Sequence, residues 1–421
     1  MTHTVNQEPI VLTGVDMADE LKQLQARRPI SRVELPGGVL AWSVTDPDLL
    51  KRLMTDPRVS KDAHQHWPAL INDEITQDWV MYPWVAVRSM LTRYGTDHQR
   101  LRKIVTPVFT HRRIQALRPT IEAITTELLD DIAAVPAGEA VDLRARFADE
   151  VPIRVITHIM GVDPYQAADL ATGAHAILDT TLTPDQAALN FAEMNRVLGE
   201  LIADKRSHPR DDLTTALITA SDEDGRRLSE QELGDTLMLI ITAGHETTAH
   251  LLDQAITALL AHSQICADVL AGDIPWEAVV EETLRRDPPI IHMPFRFAVD
   301  DIDLDLHNGS FRIARGEVLL ASLAAVGRDP RIHHDPDRFD PRRPVKDHLA
   351  FGHGAHFCLG APLARLEATV ALPALWTRFR DMQLAIAADR LKRLPSIVVN
   401  GHRELPVYLG REPRTTPKDR L

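Results

Sequence analysis

The sequence predicts a mainly α-helical protein with small β-sheets, and three features predict it. From about Asp46 to Asp287, apolar residues recur at helical spacing between recognisable caps. Short alternating segments broken by Gly-containing turns lie on both sides of that region. A final helix-forming stretch begins near Cys358, after a glycine-rich loop.

Taken in order, residues 1 to about 15 read as a loose end. Val33 to Thr45 places a Pro-Gly-Gly turn between apolar runs and predicts a hairpin. Thr183, Pro184 and Gln186 form an N-terminal cap, and Phe191, Met194, Leu198, Leu201 and Ile202 follow its helix. Ser229 and Glu232 make a second capping box, with Leu228 and Leu233 as its hydrophobic staple. That cap opens the longest helix, predicted to run past residue 255. Pro288-Pro289 closes the helical region. Phe295 to Leu320, split by Asn308-Gly309 and Arg315-Gly316, predicts hairpins. Ile397 to Val399, Asn400-Gly401 and Val407 to Leu409 predict one more, and residues 412–421 read as a loose tail. No linker or repeat interrupts the chain, so residues 1–421 read as one domain.

Composition narrows the function. The chain has 421 residues, enough to bury a large core and enclose a sizeable ligand. Its formal charge of -13 argues against coating nucleic acid, which needs a basic surface. Two cysteines, Cys266 and Cys358, cannot form a disulfide framework, so a reducing cytoplasm is the expected setting. Cys266 reads as an inert buried thiol. The N-terminus lacks the order of a signal peptide, and the longest apolar run, Leu237 to Ile241, is too short to span a bilayer.

The segment Phe351-Gly-His-Gly-Ala-His-Phe-Cys-Leu-Gly360 carries the most chemistry. Gly352 and Gly354 let the backbone turn tightly beside a flat ligand, and Gly360 allows close approach on the other side. Cys358 then falls at a helix N-terminus, where free N–H groups and partial positive charge favour a thiolate. A zinc site would want more ligands than the neighbouring His353 and His356. A nucleophilic cysteine would leave the flanking Phe and Gly residues unexplained. On the long helix, Ala243-Gly-His-Glu-Thr-Thr248 puts Ala243, Gly244 and Thr247 on one face, with small residues beside a hydroxyl and the Glu246 carboxylate. His245 reads as a satisfied helix histidine.

The Phe-Gly-x-Gly-x-His-x-Cys-x-Gly pattern resembles the signature of the cytochrome P-450 superfamily, particularly its bacterial, actinomycete-type branch. The resemblance runs from about Asp46 to Leu409. It implies that Cys358 is the proximal ligand of haem b, whose thiolate favours O–O cleavage. It implies that Phe351 packs near the ligand loop and that His356 contacts a haem propionate. His98 and Arg102 match a His-x-x-x-Arg propionate pair, and Arg296 a third partner. Thr247 becomes the dioxygen-side hydroxyl and Glu246 its neighbouring acid. Glu282 and Arg285 match a Glu-x-x-Arg motif that joins Arg338. Trp84, Val85, Val87, Ala243, Ile290, Met293 and Ile397 are the implied substrate pocket. The implied activity is monooxygenation of a bulky apolar steroid, terpenoid or macrolide. Its electrons would come from NAD(P)H only through an external ferredoxin and reductase, and Arg112, Arg113, Arg342 and Arg343 are candidates for the docking patch. A peroxide-driven hydroxylase and a non-catalytic haem sensor are the alternatives.

Overall fold

The computed structural model describes residues 8–179, 182–306 and 309–410. It is mainly helical, with three small sheets. The Thr183 and Ser229 capping boxes both form, each with the side chain and backbone bonds reciprocated. The Ser229 box opens the longest helix, Glu230–Ala261, of 32 residues. This helix runs through the centre of the molecule. It packs against the helices Glu150–Met160, Pro164–Leu178, Trp276–Arg286 and Ala361–Arg378.

The largest sheet is built at the side of this bundle. Its strands are β1 (Ile10–Val11), β2 (Ile30–Leu35), β3 (Val39–Val44), β4 (Val59–Ser60), β6 (His292–Ala298) and β9 (Val318–Ser322), in the order β1-β2-β3-β9-β6-β4. β2 and β3 form the hairpin expected around Pro-Gly-Gly. β7 (Ile302–Leu306) pairs antiparallel with β8 (Gly309–Ile313). Asn308 of the predicted turn lies outside the described residues.

Two expectations change here. Residues 8–15 are not loose: Ile10 and Leu12 are buried, β1 pairs with β2, and Glu20 accepts bonds from the Thr13 and Gly14 N–H groups. Buried apolar side chains and a buried carboxylate hold this segment down, a tertiary cause that local polarity hides. The predicted C-terminal hairpin does not form. Val399 bridges to Ile290, while β11 (Pro406–Tyr408) sits between β10 (Gln383–Leu384) and β5 (Ala140–Asp142). Residues 412–421 lie outside the described residues.

The thiolate loop is anchored by charge. Arg285 donates two bonds of 2.8 Å to Glu282, and both side chains are fully buried. Arg285 also donates to the carbonyls of Gly327, Pro336 and Arg338. The arginine that approaches the Glu282 carboxylate is Arg343, at 3.5 Å and 9 % exposed, not Arg338, whose side chain is exposed. Only the Arg338 main chain takes part. Arg343 is therefore withdrawn from the expected basic patch, and Arg342 pairs with Asp268 at 2.8 Å, which leaves Arg112 and Arg113 exposed. Asp287 is buried between Arg286 and Arg328 at 2.7 Å each.

A buried ion pair that loses one partner leaves an uncompensated charge, at a cost of about 3–5 kcal/mol. Arg285→Ala should destabilise the fold by roughly that amount, and Arg343→Ala should lower stability measurably. Arg338→Ala should stay within about 0.5 kcal/mol of the parent in chemical unfolding. Equal effects at Arg338 and Arg343 would contradict the assignment.

Candidate active site

A cleft opens between the long helix and the loop before Ala361–Arg378. Phe351, Gly352, His356, Cys358, Gly360 and Glu367 line one side, and Ala243, Gly244, Thr247 and Thr248 line the other. Gly352 and Gly354 take φ of +74° and +72°, the left-handed region that glycine tolerates. A Cβ on Gly354 would lie 2.9 Å from the Thr55 side chain. The loop is closed by the Cys358 N–H donating to the Phe351 carbonyl at 2.9 Å. The guanidinium of Arg365 lies 4.5 Å from the Phe351 ring centre and also binds Glu281 at 2.6 Å. Cys358 is exposed to the open cleft, yet desolvation by the surrounding protein raises its thiol pKa, against the N–H groups of Gly360 and Ala361, which lower it.

Opposite the sulfur, Thr247 Oγ1 donates to the Ala243 carbonyl at 2.7 Å, so its oxygen lone pairs remain for the cleft. Gly244 matters for packing: a Cβ there would meet Ile156 at 3.0 Å. Glu246 does not line the cleft. It is buried and contacts His175 Nδ1 on one side and His250 Nε2, at 3.0 Å, on the other. His245 is fully buried, and neither ring nitrogen has a hydrogen-bond partner, so the expectation of a satisfied histidine fails.

Cations crowd the rim. The His98 and His356 rings meet at a tilt with centres 4.0 Å apart, and Arg102 donates to the Phe357 carbonyl at 2.7 Å. Arg296 is buried beside them. Met293 and Arg296, three residues apart, would point to opposite faces of a regular strand. The register shift between them in β6 lets both line the cleft. Lys61, at the end of β4, joins this group, buried and donating only to the Pro294 carbonyl at 3.1 Å. Sequence reasoning missed Lys61, since a lone lysine after a short strand carries no signal.

Of the predicted pocket residues, Ala243, Ile290 and Met293 line the cleft. Trp84, Val85 and Ile397 instead pack in the sheet-side core. Val87 lines a separate cavity of about 620 Å³ with Phe191, Leu198 and Ile202. Met90, Leu91, Ile240 and Leu323 line the cleft unannounced by any motif.

Comparison with known proteins resolves the family. The cytochrome P450 family profile matches residues 174–271 and 276–385. The 2-hydroxy-5-methyl-1-naphthoate 7-hydroxylase of Streptomyces carzinostaticus is 45% identical over 94% of this chain and 96% of its own length. This chain belongs to the cytochrome P450 family. Its fold agrees with that of CYP154A1 from Streptomyces coelicolor A3(2), with a TM-score of 0.89, 48% identity, and coverage of 95% of this chain and 100% of that one. It also matches testosterone-bound CYP154C4 from Streptomyces sp. ATCC 11861, with a TM-score of 0.91, 41% identity, and coverage of 96% and 99%. The P450 is thus a monooxygenase-family enzyme, and its family implies haem iron and dioxygen. Among the described residues, no helix is long and apolar enough to cross a membrane.

The cleft of this P450 fits a haem. His98 Nε2, Arg296 Nη1 and His356 Nδ1 are buried without a hydrogen-bond partner. Burial first, then the neighbouring Lys61, His98, Arg296 and Arg102, drives the His356 pKa far below its ordinary range. Burial lowers Arg296 to about 10 and pushes Lys61 well down. Among the described residues no carboxylate balances Lys61 or Arg296. A dianionic ligand with two carboxylates is the complement these groups call for.

Glu367, beneath the thiolate loop, is fully buried with Oε2 unpartnered, and burial raises its pKa well above 4.5. The folded protein keeps it protonated while the unfolded chain ionises near 4.5, so it costs stability increasingly as pH rises above that value. Glu367→Gln should raise Tm at pH 7, with the gain vanishing near pH 4. A gain that persists unchanged at pH 4 would overturn this reading.

Proposed function

We propose that this P450 is a monooxygenase that inserts one oxygen atom from O2 into a C–H bond of a bulky apolar small molecule. Two electrons and two protons complete the balance, and the second oxygen atom leaves as water. The observation that carries this reading is Cys358 facing Ala243, Gly244 and Thr247 across one cleft beneath a rim of uncompensated cations. Cys358 holds the iron of haem b. His98, Arg102, Arg296 and His356 hold its propionates, joined by Lys61. When bound, the thiolate-ligated haem supplies the redox chemistry that activates dioxygen.

The protein's own task is orientation and proton supply. Thr247 presents a hydroxyl whose proton is engaged by the Ala243 carbonyl, so it accepts a hydrogen bond from the cleft. Glu246, the next residue back, is the acid nearest in sequence and must turn from His175 and His250 to serve. Ala243, Ile290, Met293, Met90, Leu91 and Ile240 form the apolar ceiling that orients the substrate. A multi-ring or macrocyclic substrate of steroid, terpenoid or polyketide type suits this lining. The naphthoate hydroxylase and the testosterone-bound relative support that class. Electrons come from a ferredoxin and its reductase, in the cytoplasm, with NAD(P)H acting only through them. A peroxide-driven reaction would have no need of Thr247 as a proton-handling hydroxyl.

Cys358→Ala should abolish the thiolate-type ferrous–CO spectrum; a spectrum identical to the parent's would refute the ligand assignment. Thr247→Ala should retain haem but cut product formed per NAD(P)H by about tenfold or more, with peroxide released instead. Full coupling would remove Thr247 from proton handling. Substrate-induced haem spectral shifts across a steroid, terpenoid and macrolide panel test the substrate class.

A further inference from the structure

Behind the long helix, on the side away from the cleft, lies a second cluster that the monooxygenase chemistry does not use. Asp149 ends the π-helical turn Arg144–Ala148, His175 belongs to the helix Pro164–Leu178, and His245 to the long helix. One ligand atom from each lies within 4.8 Å of the others. We propose that Asp149, His175 and His245 bind one first-row divalent metal ion of the zinc class.

Four observations support the site. First, two imidazoles and a carboxylate suit zinc, cobalt or nickel, whereas calcium and magnesium prefer all-oxygen shells. Second, the His245 ring is fully buried with both nitrogens unpartnered, and its edge meets the His175 ring at 4.9 Å. The Asp149 main chain lies beside that ring, but no ring nitrogen reaches it with hydrogen-bond geometry. A buried imidazole without partners is costly, and a metal ion would satisfy it. Third, the Glu246 carboxylate lies against His175 Nδ1 without a hydrogen-bond partner for its Oε1, which places negative charge beside the site. Fourth, the His175 side chain is 41 % exposed, which gives an ion a path in from solvent.

The competing charge is Arg144, which pairs with Asp149 Oδ1 and leaves Oδ2 for an ion. An ion here would pin the helix Pro164–Leu178 to the long helix through side chains of both.

Untagged, haem-loaded, full-length enzyme titrated with zinc chloride in a calorimeter tests this. One equivalent should bind, and His245→Ala should weaken it at least about tenfold. His175→Asn, at a partly exposed position, should do the same while the haem spectrum stays unchanged. Zinc-edge anomalous diffraction from soaked crystals should place the ion between the three side chains. No binding at millimolar zinc, undiminished binding in both variants, or an anomalous peak elsewhere would overturn the site. None of these outcomes bears on the haem cleft.

Discussion

A buried charge cannot be left half satisfied, and the Glu282–Arg285 pair makes that constraint structural. Both side chains are out of water, so every remaining donor and acceptor must find a partner. Arg285 finds three carbonyls in the segment between Gly327 and Arg338, and Glu282 finds the Asp340 N–H and Arg343. An irregular stretch with little regular secondary structure is thereby pinned to a helix. Glu281, one residue earlier, extends the same logic. Burial would raise its pKa, but His348 and Arg365 lower it to about 2, and Arg365 sits on the thiolate-bearing side. The loop that carries Cys358 is thus held by charges on neighbouring positions of one helix, Glu281 and Glu282.

The cleft inverts that rule. Around the rim, positive groups are brought together and, among the described residues, no carboxylate answers them. Such an arrangement is unstable as an isolated protein interior. It makes sense as a socket whose missing charge arrives with a ligand. The same economy governs the two faces of the long helix. One face is small and apolar toward the cleft, while Glu246, His245 and His250 are buried away from it. Neighbouring residues of one motif therefore serve different compartments.

Much of this was legible in the sequence. Caps, staples and turns are local chemistry, so the Thr183 and Ser229 helices and the Pro-Gly-Gly hairpin were readable from a few residues each. The cleft residues of the Cys358 loop were readable from the spacing of its glycines and cysteine, whereas those of Ala243–Thr248 are common in helices and were readable only through the family resemblance. The failures have a common origin in long-range packing. Arg338 and Arg343 sit in one irregular segment, and nothing local says which guanidinium turns inward. Trp84, Val85 and Ile397 are as apolar as true pocket residues, and only the tertiary fold assigns them to the core. The turn at Asn400-Gly401 is plausible locally, yet Val399 pairs with Ile290 across more than a hundred residues. Lys61 becomes meaningful only when β4 is laid beside β6.

The irregularity in β6 has a consequence for anyone recombining this enzyme with its relatives. Because the strand slips register between Met293 and Arg296, a ceiling side chain and a rim cation share one wall. Smoothing out that shift at constant length would leave the two three apart on an even pleat and rotate one of them out of the cavity. Chimeras that alter specificity by exchanging this strand must therefore keep its register shift and not only its length, or they will exchange a substrate problem for a cofactor problem.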